Sequence, residues 1–500
     1  MTRKKHLLGD AHIYESLRAP KLHNTRPRFH FSSPVGWIND PNGFSRYNGL
    51  YHMFFQYYPY DVAWGPMHWG HAVSEDLVTW QYMPAVLSPD QDYDFGGCYS
   101  GSAIEDNGKH YLFYTGVVNA EDGTKNYHQV QCMAVGDGIH YDKYEHNPVI
   151  DITQTPADAS KRDFRDPKVW KDHDTYYMVV GSTTLDGYGQ VLMYESKDMV
   201  HWDFIRVLDK SHGEYGIMWE CPDFFMLYGH PILMVSPQHM KPKGREFHAG
   251  DNVMFVHGDY DLVTHEFTRR HINCTDYGLD FYAATTLQDE DGSRIMIAWM
   301  ESWANLMFNS KDGWMGMMTF PRELRIVKDH IYQFPVDSLK NYYTATYEYK
   351  DEQVQGLKEF EHIRGRWVDL TVTINDFDFH HFAIHFAKND EYEMYLVYNH
   401  LEKTLMIDRT FSGIDQDITT TRKIDSEPLD GVYTLRLLLD TYSAEIFVNN
   451  GEKVLSNLFD TPIEADGIVF DCDGAATIDI TLHEIGEEPV TKHKGKDMML

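Results

Sequence analysis

The chain is 500 residues long, which is enough for two domains, and 14% of its residues are aromatic, as is typical of β-sheet proteins. Its 44 basic and 76 acidic side chains give a formal net charge of −32, which argues against nucleic acid or an anionic membrane surface as a partner. It contains no apolar run of about 18 residues, so no transmembrane helix is predicted.

Residues 1–27 are predicted to form an N-terminal extension. This segment begins with basic residues but has no apolar core, which argues against a signal peptide. The five cysteines are scattered, odd in number and without a Cys-x-x-Cys pair, so neither a disulfide framework nor a zinc site is indicated. The sequence therefore predicts a cytoplasmic protein with no bound metal.

Three short segments place an acid beside a proline or a Cys-Pro pair. They are residues 37–43 (Trp-Ile-Asn-Asp-Pro-Asn-Gly, with Asp40), 165–167 (Arg-Asp-Pro, with Asp166) and 219–223 (Trp-Glu-Cys-Pro-Asp, with Glu220). Proline fixes its own φ and favours extended backbone before it, so a surface turn is one interpretation of each segment. Aromatic-rich runs follow at 44–56, 169–180 and 224–235 and are predicted to be strands. Each acid is then expected where a strand begins.

A weak internal repeat connects these segments. Residues 74–80 (Ser-Glu-Asp-Leu-Val-Thr-Trp) recur as 196–202 (Ser-Lys-Asp-Met-Val-His-Trp), with fainter echoes between and beyond them. The aromatic residue that ends each echo lies at Trp80, Tyr141, Trp202, Phe267 and Tyr332, so the steps are 61, 61, 65 and 65 residues. About sixty residues hold four short strands with their turns, which is one propeller blade. The repeat predicts an all-β protein with a five-bladed β-propeller.

Five polar residues follow the same spacing as the repeat. They are Asp40, Ser100, Asp166, Glu220 and Tyr282, at steps of 60, 66, 54 and 62 residues. Equivalent positions of successive blades surround one axis, so these side chains are expected to meet in one funnel. Three clustered carboxylates repel one another and lose hydration, which is costly unless they have a function. A catalytic site is the favoured interpretation, with a calcium site or structural acids as the alternatives.

The propeller is predicted to span residues 28–336, followed by a connector at 337–344 and a second domain at 345–500. Alternating segments at 366–372, 392–398, 433–439 and 443–448 predict short antiparallel strands, and Asn449-Asn450-Gly451 is a hairpin signal. This pattern is typical of a β-sandwich. No acid cluster lies in it, so it is expected to stabilise the propeller or to provide a homo-oligomer interface.

The three acid motifs resemble those of glycoside hydrolase family 32, which includes invertases, inulinases and sucrose-6-phosphate hydrolases. Residues 97–103 (Gly-Cys-Tyr-Ser-Gly-Ser-Ala) resemble the family's Phe-Ser-Gly-Ser segment with Tyr99 in place of phenylalanine, and 320–324 (Phe-Pro-Arg-Glu-Leu) resemble its Pro-Arg-Glu-Leu signature. The resemblance extends from about residue 28 to the C-terminus. It implies a five-bladed propeller followed by a β-sandwich, and hydrolysis of sugars without a cofactor.

The resemblance also implies roles for the acids. Asp40 would be the nucleophile that attacks the anomeric carbon of a β-fructofuranosyl unit, and Glu220 the general acid and then base. In retaining glycosidases such a pair lies roughly 5–5.5 Å apart. Asp166 would hold the fructosyl hydroxyls, with Arg165 keeping it ionised. Further residues expected around the sugar are Asn39, Gln56, Trp64, Ser100 and Trp299, with Asp223 as an additional pocket acid near the general acid.

The substrate is expected to be a small sugar: sucrose, sucrose 6-phosphate or a short fructo-oligosaccharide. Phosphate recognition would need basic side chains near the leaving glucose, and the pair Lys161-Arg162 is a candidate, although a solvated loop is the simpler interpretation. A fructosyltransferase with the same mechanism is one alternative function. A non-catalytic sugar-binding propeller is another, and it is disfavoured because it would not need all three acids.

Overall fold

The structure is a computed structural model, and it describes residues 7–21, 26–118, 127–307 and 312–490. The chain divides into two compact units. The first comprises the described residues of Met1–Arg26, Phe31–Asp276 and Asp280–Asp329, and the second those of Pro27–His30, Tyr277–Leu279 and His330–Leu500. Within the described ranges, no helix has the length and apolar character needed to cross a membrane.

Five sheets of four consecutive or nearly consecutive antiparallel strands form the propeller. The sheets contain, in chain order, β1 (Gly36–Tyr47), β2 (Leu50–Tyr58), β3 (His68–Ser74) and β4 (Gln81–Leu87); β5 (Cys98–Asp106), β6 (Lys109–Val118), β7 (His128–Gly136) and β8 (Tyr141–Lys143); β9 (Ala159–Asp172), β10 (Thr175–Thr184), β11 (Gly189–Ser196) and β12 (Trp202–Lys210); β13 (Met218–Leu227), β14 (His230–Gln238), β15 (Met254–Tyr260) and β16 (Phe267–Cys274); and β17 (Tyr282–Gln288), β18 (Arg294–Trp299), β20 (Arg322–Val327) and β21 (His330–Pro335). A two-residue strand, β19 (Trp314–Met315), pairs in parallel with β1. The five blades confirm the prediction from the repeat.

The repeated sequence motif is the turn that leads from the third to the fourth strand of a blade. The Ser74 hydroxyl accepts a hydrogen bond from the Leu77 backbone N–H at 2.8 Å, and Asp76 Oδ1 accepts one from the Val78 N–H at 3.0 Å. Ser196 and Asp198 make the same bonds in the third blade. Side chains that satisfy backbone donors in this way stabilise the turn and explain why its sequence recurs.

The first strand of each blade lies at the axis. Each of β1, β5, β9, β13 and β17 contacts the first strands of its two neighbouring blades, so the five strands close a ring. Every one of them carries a β-bulge, and the unpaired residues include Asp40, Ser100, Asp166, Cys221 and Ala283. A bulge bends a strand and redirects a side chain, so each blade turns one polar segment toward the axis.

The bulges correct one detail of the prediction. The acids do not lie where strands begin, because β1, β9 and β13 start four, seven and two residues before Asp40, Asp166 and Glu220. Pro167 and Pro222 are tolerated inside their strands because they are unpaired residues of the bulges, and Pro41 directly follows the unpaired residues of β1. The runs at 44–56, 169–180 and 224–235 are therefore hairpins, each joining the end of a first strand to a second strand.

The remaining elements of the first unit are helical. Helix α1 (Leu8–Arg18) lies in the segment predicted only as an extension, and its His12 ring nitrogen lies 2.7 Å from the Ala85 carbonyl of β4. Short 3-10 helices occupy Ile152–Gln154 and Trp303–Asn305. A further 3-10 helix, Asp337–Tyr342, lies in the predicted connector and belongs to the second unit.

The second unit is a β-sandwich, as predicted. One sheet has the order β22-β32-β23-β28-β29-β30 and the other the order β27-β26-β25-β24-β31. The strands are β22 (Tyr343–Val354), β23 (Val368–Asp378), β24 (His381–Lys388), β25 (Met394–Asn399), β26 (Thr404–Asp408), β27 (Thr421–Asp425), β28 (Tyr433–Leu439), β29 (Ser443–Val448), β30 (Lys453–Leu458), β31 (Gly467–Cys472) and β32 (Ala475–Ile485). Asn449 and Asn450 have positive φ values of 48° and 60°, which the hairpin between β29 and β30 requires.

Candidate active site

The bulged segments open into one cavity of about 250 Å³ in the propeller. Its walls are formed by Asn39, Asp40, Gln56, Trp64, Tyr99, Ser100, Tyr127, Gln129, Arg165, Asp166, Glu220, Gln238 and Trp303. All the predicted site residues except Asp223, Tyr282 and Trp299 are among them. The volume lies just below the range of small-molecule sites, about 300–1,000 Å³, so the cavity suits one small polar ligand such as a sugar unit.

Asp40 is held by two donors. Its Oδ1 accepts a hydrogen bond from Asn39 Nδ2 at 2.8 Å, and its Oδ2 accepts one from the Ser100 hydroxyl at 2.5 Å. Asn39 is itself fixed, because the indole N–H of Trp37 donates to its Oδ1 at 2.8 Å. Burial, and then the charge of Glu220, raise the pKa of Asp40 to about 6, although the bonds from Ser100 and Asn39 favour the ionised form.

Asp166 lies beside Asp40, with the Cys221 side chain between them. The Cys221 sulfur is 3.7 Å from Oδ2 of each acid, and the Cys221 backbone N–H donates to Asp166 Oδ2 at 3.0 Å. Asp166 has a positive φ of 67°, an uncommon conformation for a residue other than glycine. Burial and the neighbouring charge of Glu220 raise the pKa of Asp166 to about 7. Burial also raises the pKa of the Cys221 thiol, which therefore stays neutral.

Glu220 is held by one partner on each oxygen. Arg165 Nε donates to Glu220 Oε1 at 2.8 Å, and the Tyr282 hydroxyl lies 2.6 Å from Oε2. The same hydroxyl lies 2.9 Å from the Ser236 carbonyl, so its single proton has two acceptors. Tyr282 is the fifth position of the spaced series, and it reaches the site through this contact with Glu220.

The contacts of Arg165 differ from the expectation. Its guanidinium binds Glu220 and, through Nη1, Asp163 Oδ1 at 2.9 Å and Gln129 Oε1 at 3.3 Å. The positive charge lowers the pKa of Asp166, but burial and the charge of Glu220 outweigh it. Arg165 therefore orients the Glu220 side chain rather than keeping Asp166 ionised.

Two further residues lie elsewhere than expected. Trp299 is fully buried behind the cavity wall, where its ring lies 6.0 Å from Trp37 and 5.0 Å from Trp303, and Trp303 is the tryptophan that lines the cavity. Asp223 points away from the cavity, where its Oδ2 binds Lys168 at 2.9 Å and the Thr286 N–H at 2.7 Å. The bulge after Glu220 accounts for this, because it changes which side chains face the cavity.

Sequence reasoning missed five wall residues: Tyr99, Tyr127, Gln129, Gln238 and Trp303. Tyr99 directly precedes Ser100 and could have been included from the repeat. The others lie at or beside the ends of second and third strands or on a 3-10 helix, and no local pattern marks such positions. The pair Lys161-Arg162 lies near the cavity: the Arg162 guanidinium is 4.7 Å from the centre of the Tyr127 ring.

Comparison with known proteins identifies the class of protein that has this fold and site. The model of the glycosyl hydrolases family 32 N-terminal domain matches residues 30–335, and that of the family's C-terminal region matches residues 337–484. The chain therefore belongs to glycosyl hydrolase family 32 and is a glycoside hydrolase. This confirms the resemblance of its acid motifs and the predicted architecture.

Three similar proteins have named activities. The sucrose-6-phosphate hydrolase of Escherichia coli is 34% identical over 471 residues, which cover 92% of this chain and 95% of that protein. A mutant of the Bombyx mori GH32 beta-fructofuranosidase BmSUC1 in complex with sucrose has a TM-score of 0.84 at 31% identity, covering 96% of this chain and 99% of that one. The sucrose-6-phosphate hydrolase from Lactobacillus gasseri has a TM-score of 0.83 at 29% identity, covering 96% of this chain and 96% of that one.

Proposed function

We propose that this glycoside hydrolase is a retaining β-fructofuranosidase that cleaves the terminal fructosyl bond of a sucrose-sized sugar. The observation that carries the proposal is the ring of bulged first strands, which brings Asp40, Asp166 and Glu220 into one small cavity. The activities named for the relatives support it, since they are a beta-fructofuranosidase and two sucrose-6-phosphate hydrolases.

In the first step, Asp40 attacks the anomeric carbon and Glu220 protonates the departing oxygen. The bonds from Asn39 and Ser100 fix the orientation of the Asp40 carboxylate before the substrate arrives, so little reorganisation is needed. In the second step, Glu220 takes a proton from water, which displaces the fructosyl group from Asp40. Glu220 must therefore change between its protonated and ionised forms within one turnover.

The Tyr282 hydroxyl fits both forms of Glu220. When Glu220 is ionised, the hydroxyl donates its proton to Oε2; when Glu220 is protonated, the hydroxyl can donate to the Ser236 carbonyl and accept from the carboxyl group. Asp166 contacts the fructosyl hydroxyls, and the Cys221 N–H holds its carboxylate in place. An ionised Asp166 favours the positive charge that develops on the sugar ring in the transition state.

The leaving sugar would lie at the cavity mouth. Trp64 is 48% exposed there, and its ring can stack on the apolar face of a sugar. Arg162, whose guanidinium covers the Tyr127 ring of the cavity wall, is the candidate that would bind a phosphate on that sugar. We assign sucrose or sucrose 6-phosphate, rather than a long fructan, as the substrate.

The decisive experiment compares kcat/KM for sucrose, sucrose 6-phosphate and kestose. A tenfold preference for the phosphorylated sugar corresponds to about 1.4 kcal/mol of transition-state binding. Arg162→Ala should abolish that preference, whereas the adjacent, exposed Lys161→Ala serves as the matched control and should retain it. Equal loss on sucrose and its phosphate would reject Arg162 as the phosphate ligand.

The catalytic assignment has its own test. Asp40→Ala and Glu220→Gln should each lower kcat by about a thousandfold or more while the thermal unfolding transition is retained. NMR of the first product anomer should show retention, since the proposed route has two displacements. Near-normal turnover in either variant would refute the roles, and would leave a non-catalytic sugar-binding propeller as the alternative.

The acceptor of the fructosyl group, the cellular location and the oligomeric state are also part of the proposal. If a sugar takes the place of water in the second step, the enzyme acts as a fructosyltransferase. The ratio of free fructose to free glucose released at high sucrose concentration measures how much transfer occurs. The sequence supports a cytoplasmic location, which fractionation of the source cells tests. A homo-oligomer through the β-sandwich is tested by sedimentation of the purified chain.

A further inference from the structure

A second cavity lies in the first unit, on the axis of the propeller. Its volume is about 620 Å³, more than twice that of the catalytic cavity. Four of the five first strands (β1, β5, β9 and β13) line the catalytic cavity with an earlier residue and the second cavity with a later one: Asp40 precedes Phe44 in β1, and Glu220 precedes Phe224 in β13. The second cavity, here called the rear cavity, is therefore at the opposite end of the ring of strands.

A narrow waist separates the two cavities. Pro41, Pro167 and Pro222 surround it, and its free volume is only about 20 Å³. This space holds no more than a water molecule, so a sugar bound at the acids cannot extend into the rear cavity. A ligand of the rear cavity would enter from the other face of the propeller and would bind independently of the substrate.

Arg294 in the wall of the rear cavity has few partners. Its Nη1 donates to the Thr286 hydroxyl at 3.2 Å, its Nε is buried without a hydrogen-bond partner, and its guanidinium stacks 4.7 Å from the centre of the Phe225 ring. It forms no ion pair with any carboxylate in the described part of the chain. Since a guanidinium offers five N–H donors, most of its binding capacity is unused.

The neighbouring acid Asp223 compensates the charge of Arg294 only in part. Asp223 is already bound through Oδ2 by Lys168 at 2.9 Å and by the N–H and hydroxyl of Thr286. Lys168 also donates to the Thr285 hydroxyl and the Thr286 carbonyl. Two cations therefore face one acid at this end of the waist, and burial lowers the pKa of both Lys168 and Arg294.

Apart from Arg294, the lysine and arginine side chains of the rear cavity are paired with acids. Arg46 forms ion pairs with Asp289 and Glu290, and Lys171 pairs with Asp106. Two acids, Glu105 and Asp172, also line the cavity, and aromatic walls are supplied by Trp170, Tyr177, Phe224 and Tyr260. The uncompensated positive charge is thus local to Arg294, in a protein whose net charge is −32.

We propose that the rear cavity binds a small phosphate-bearing anion, with the phosphate on the Arg294 guanidinium. A guanidinium matches the geometry of phosphate and binds it through two parallel N–H groups. The volume accommodates inorganic phosphate and also a hexose phosphate, whose ring would lie against the aromatic walls. The phosphate chemistry is common to both, and the experiment separates them.

Isothermal titration of the full-length protein with inorganic phosphate, glucose 6-phosphate and glucose tests the proposal. Asp40→Ala serves as the background, so that no substrate turns over. Binding of a phosphate-bearing probe should weaken at least about tenfold in Arg294→Gln. In the matched control Arg46→Gln, which removes a rim arginine already paired with two acids, it should change less than about twofold. Tighter binding of glucose 6-phosphate than of phosphate identifies a sugar phosphate as the ligand, and equal binding identifies free phosphate.

A second variant guards against misfolding of Arg294→Gln. Gln288→Trp adds bulk at an exposed residue of the cavity wall and should block the probe. Introduced into the enzyme with Asp40 intact, it should leave sucrose hydrolysis unaltered, since Gln288 lies at the opposite end of β17 from Tyr282, which contacts Glu220. No binding of either phosphate up to about 10 mM would overturn the proposal. So would binding that persists in both variants, or equal binding of unphosphorylated glucose.

Discussion

The Tyr282 hydroxyl lies 2.6 Å from Glu220 Oε2 and 2.9 Å from the Ser236 carbonyl, so it can adjust its hydrogen bond to either protonation state of the acid. Arg165 holds the other oxygen of Glu220 at 2.8 Å. Both oxygens of Glu220, the proposed general acid, are therefore held in position. Tyr282 can change the direction of its hydrogen bond to Glu220, whereas Arg165 always donates.

Removal of this hydroxyl tests its positioning role. Tyr282→Phe should lower kcat on sucrose by about 10- to 100-fold with little change in KM, since proton transfer by a positioned acid contributes roughly 10²–10⁴. On p-nitrophenyl β-fructofuranoside, whose leaving group needs no proton, the first step should be nearly unaffected. Tyr194→Phe, a buried tyrosine of the third blade, is the control. Equal losses on both substrates would show that Tyr282 is merely structural.

The pH dependence of hydrolysis should report on Asp40. Its pKa of about 6 means that kcat/KM falls as the pH drops below 6, because the protonated carboxyl group is no nucleophile. The Ser100 hydroxyl stabilises the ionised form, so Ser100→Ala should move this acid limb to higher pH, by on the order of half to one unit. Ser102→Ala, in the same strand but bound to the Val169 N–H, should leave the limb in place. An unchanged limb in Ser100→Ala would mean that another group controls it.

The spacing of the sequence repeat predicted the propeller because equivalent turns recur from blade to blade, and Ser74 and Ser196 cap the same turn in the first and third blades. The spacing also predicted that Asp40 and Glu220 lie close together, because equivalent positions of the blades face one axis. It could not predict the bulges, which depend on pairing between strands. For that reason the prediction that Asp223, three residues after Glu220, faces the cavity was wrong.

The walls of the cavity were harder to predict than its floor. Gln238 and Trp303 lie on segments that reach the cavity only through the packing of the blades, and their local sequence resembles that of any strand end or turn. Trp299 and Trp303 are four residues apart, and only the tertiary structure decides which of them lines the cavity.

Asp166 is expected to reduce the stability of the folded protein at neutral pH. Its pKa is about 7 when folded and near its ordinary value when unfolded, so the folded state binds a proton between about pH 4 and 7 that the unfolded state does not. Stability therefore falls as the pH rises through this range and stays reduced above it. Asp166→Asn should raise the unfolding free energy by about 2–4 kcal/mol at pH 8 and leave it nearly unchanged at pH 4.

Chemical denaturation at the two pH values measures this difference. Asp163→Asn is the control, because Asp163 pairs with Arg165 at 2.9 Å and its charge is compensated. That variant should give no gain at pH 8. A stabilisation of Asp166→Asn that is the same at both pH values would contradict the electrostatic explanation.

His30 should make the second unit sensitive to high pH. Its ring nitrogens lie 2.9 Å from Asp440 Oδ2 and 2.8 Å from Glu445 Oε1, and all three side chains are fully buried. Burial opposes the charged ring, but the two carboxylates outweigh it and raise the pKa of His30 to about 9. Since the unfolded value is near 6.5, the stabilisation is complete below pH 6.5 and is lost as the pH rises through 9.

The expected loss between pH 6.5 and 9 is about 3 kcal/mol, from a slope of about 1.4 kcal/mol per pH unit. Amide hydrogen exchange measured along β28 and β29, which flank Asp440 and contain Glu445, should show protection that decreases over this range. Glu445→Gln removes one carboxylate, lowers the pKa of His30 and should shift the decrease to lower pH. Because Asp166 lies in the first unit, the location of the exchange distinguishes the two effects. Protection in β28 and β29 that is independent of pH from 6.5 to 9 would show that His30 is neutral in the folded protein.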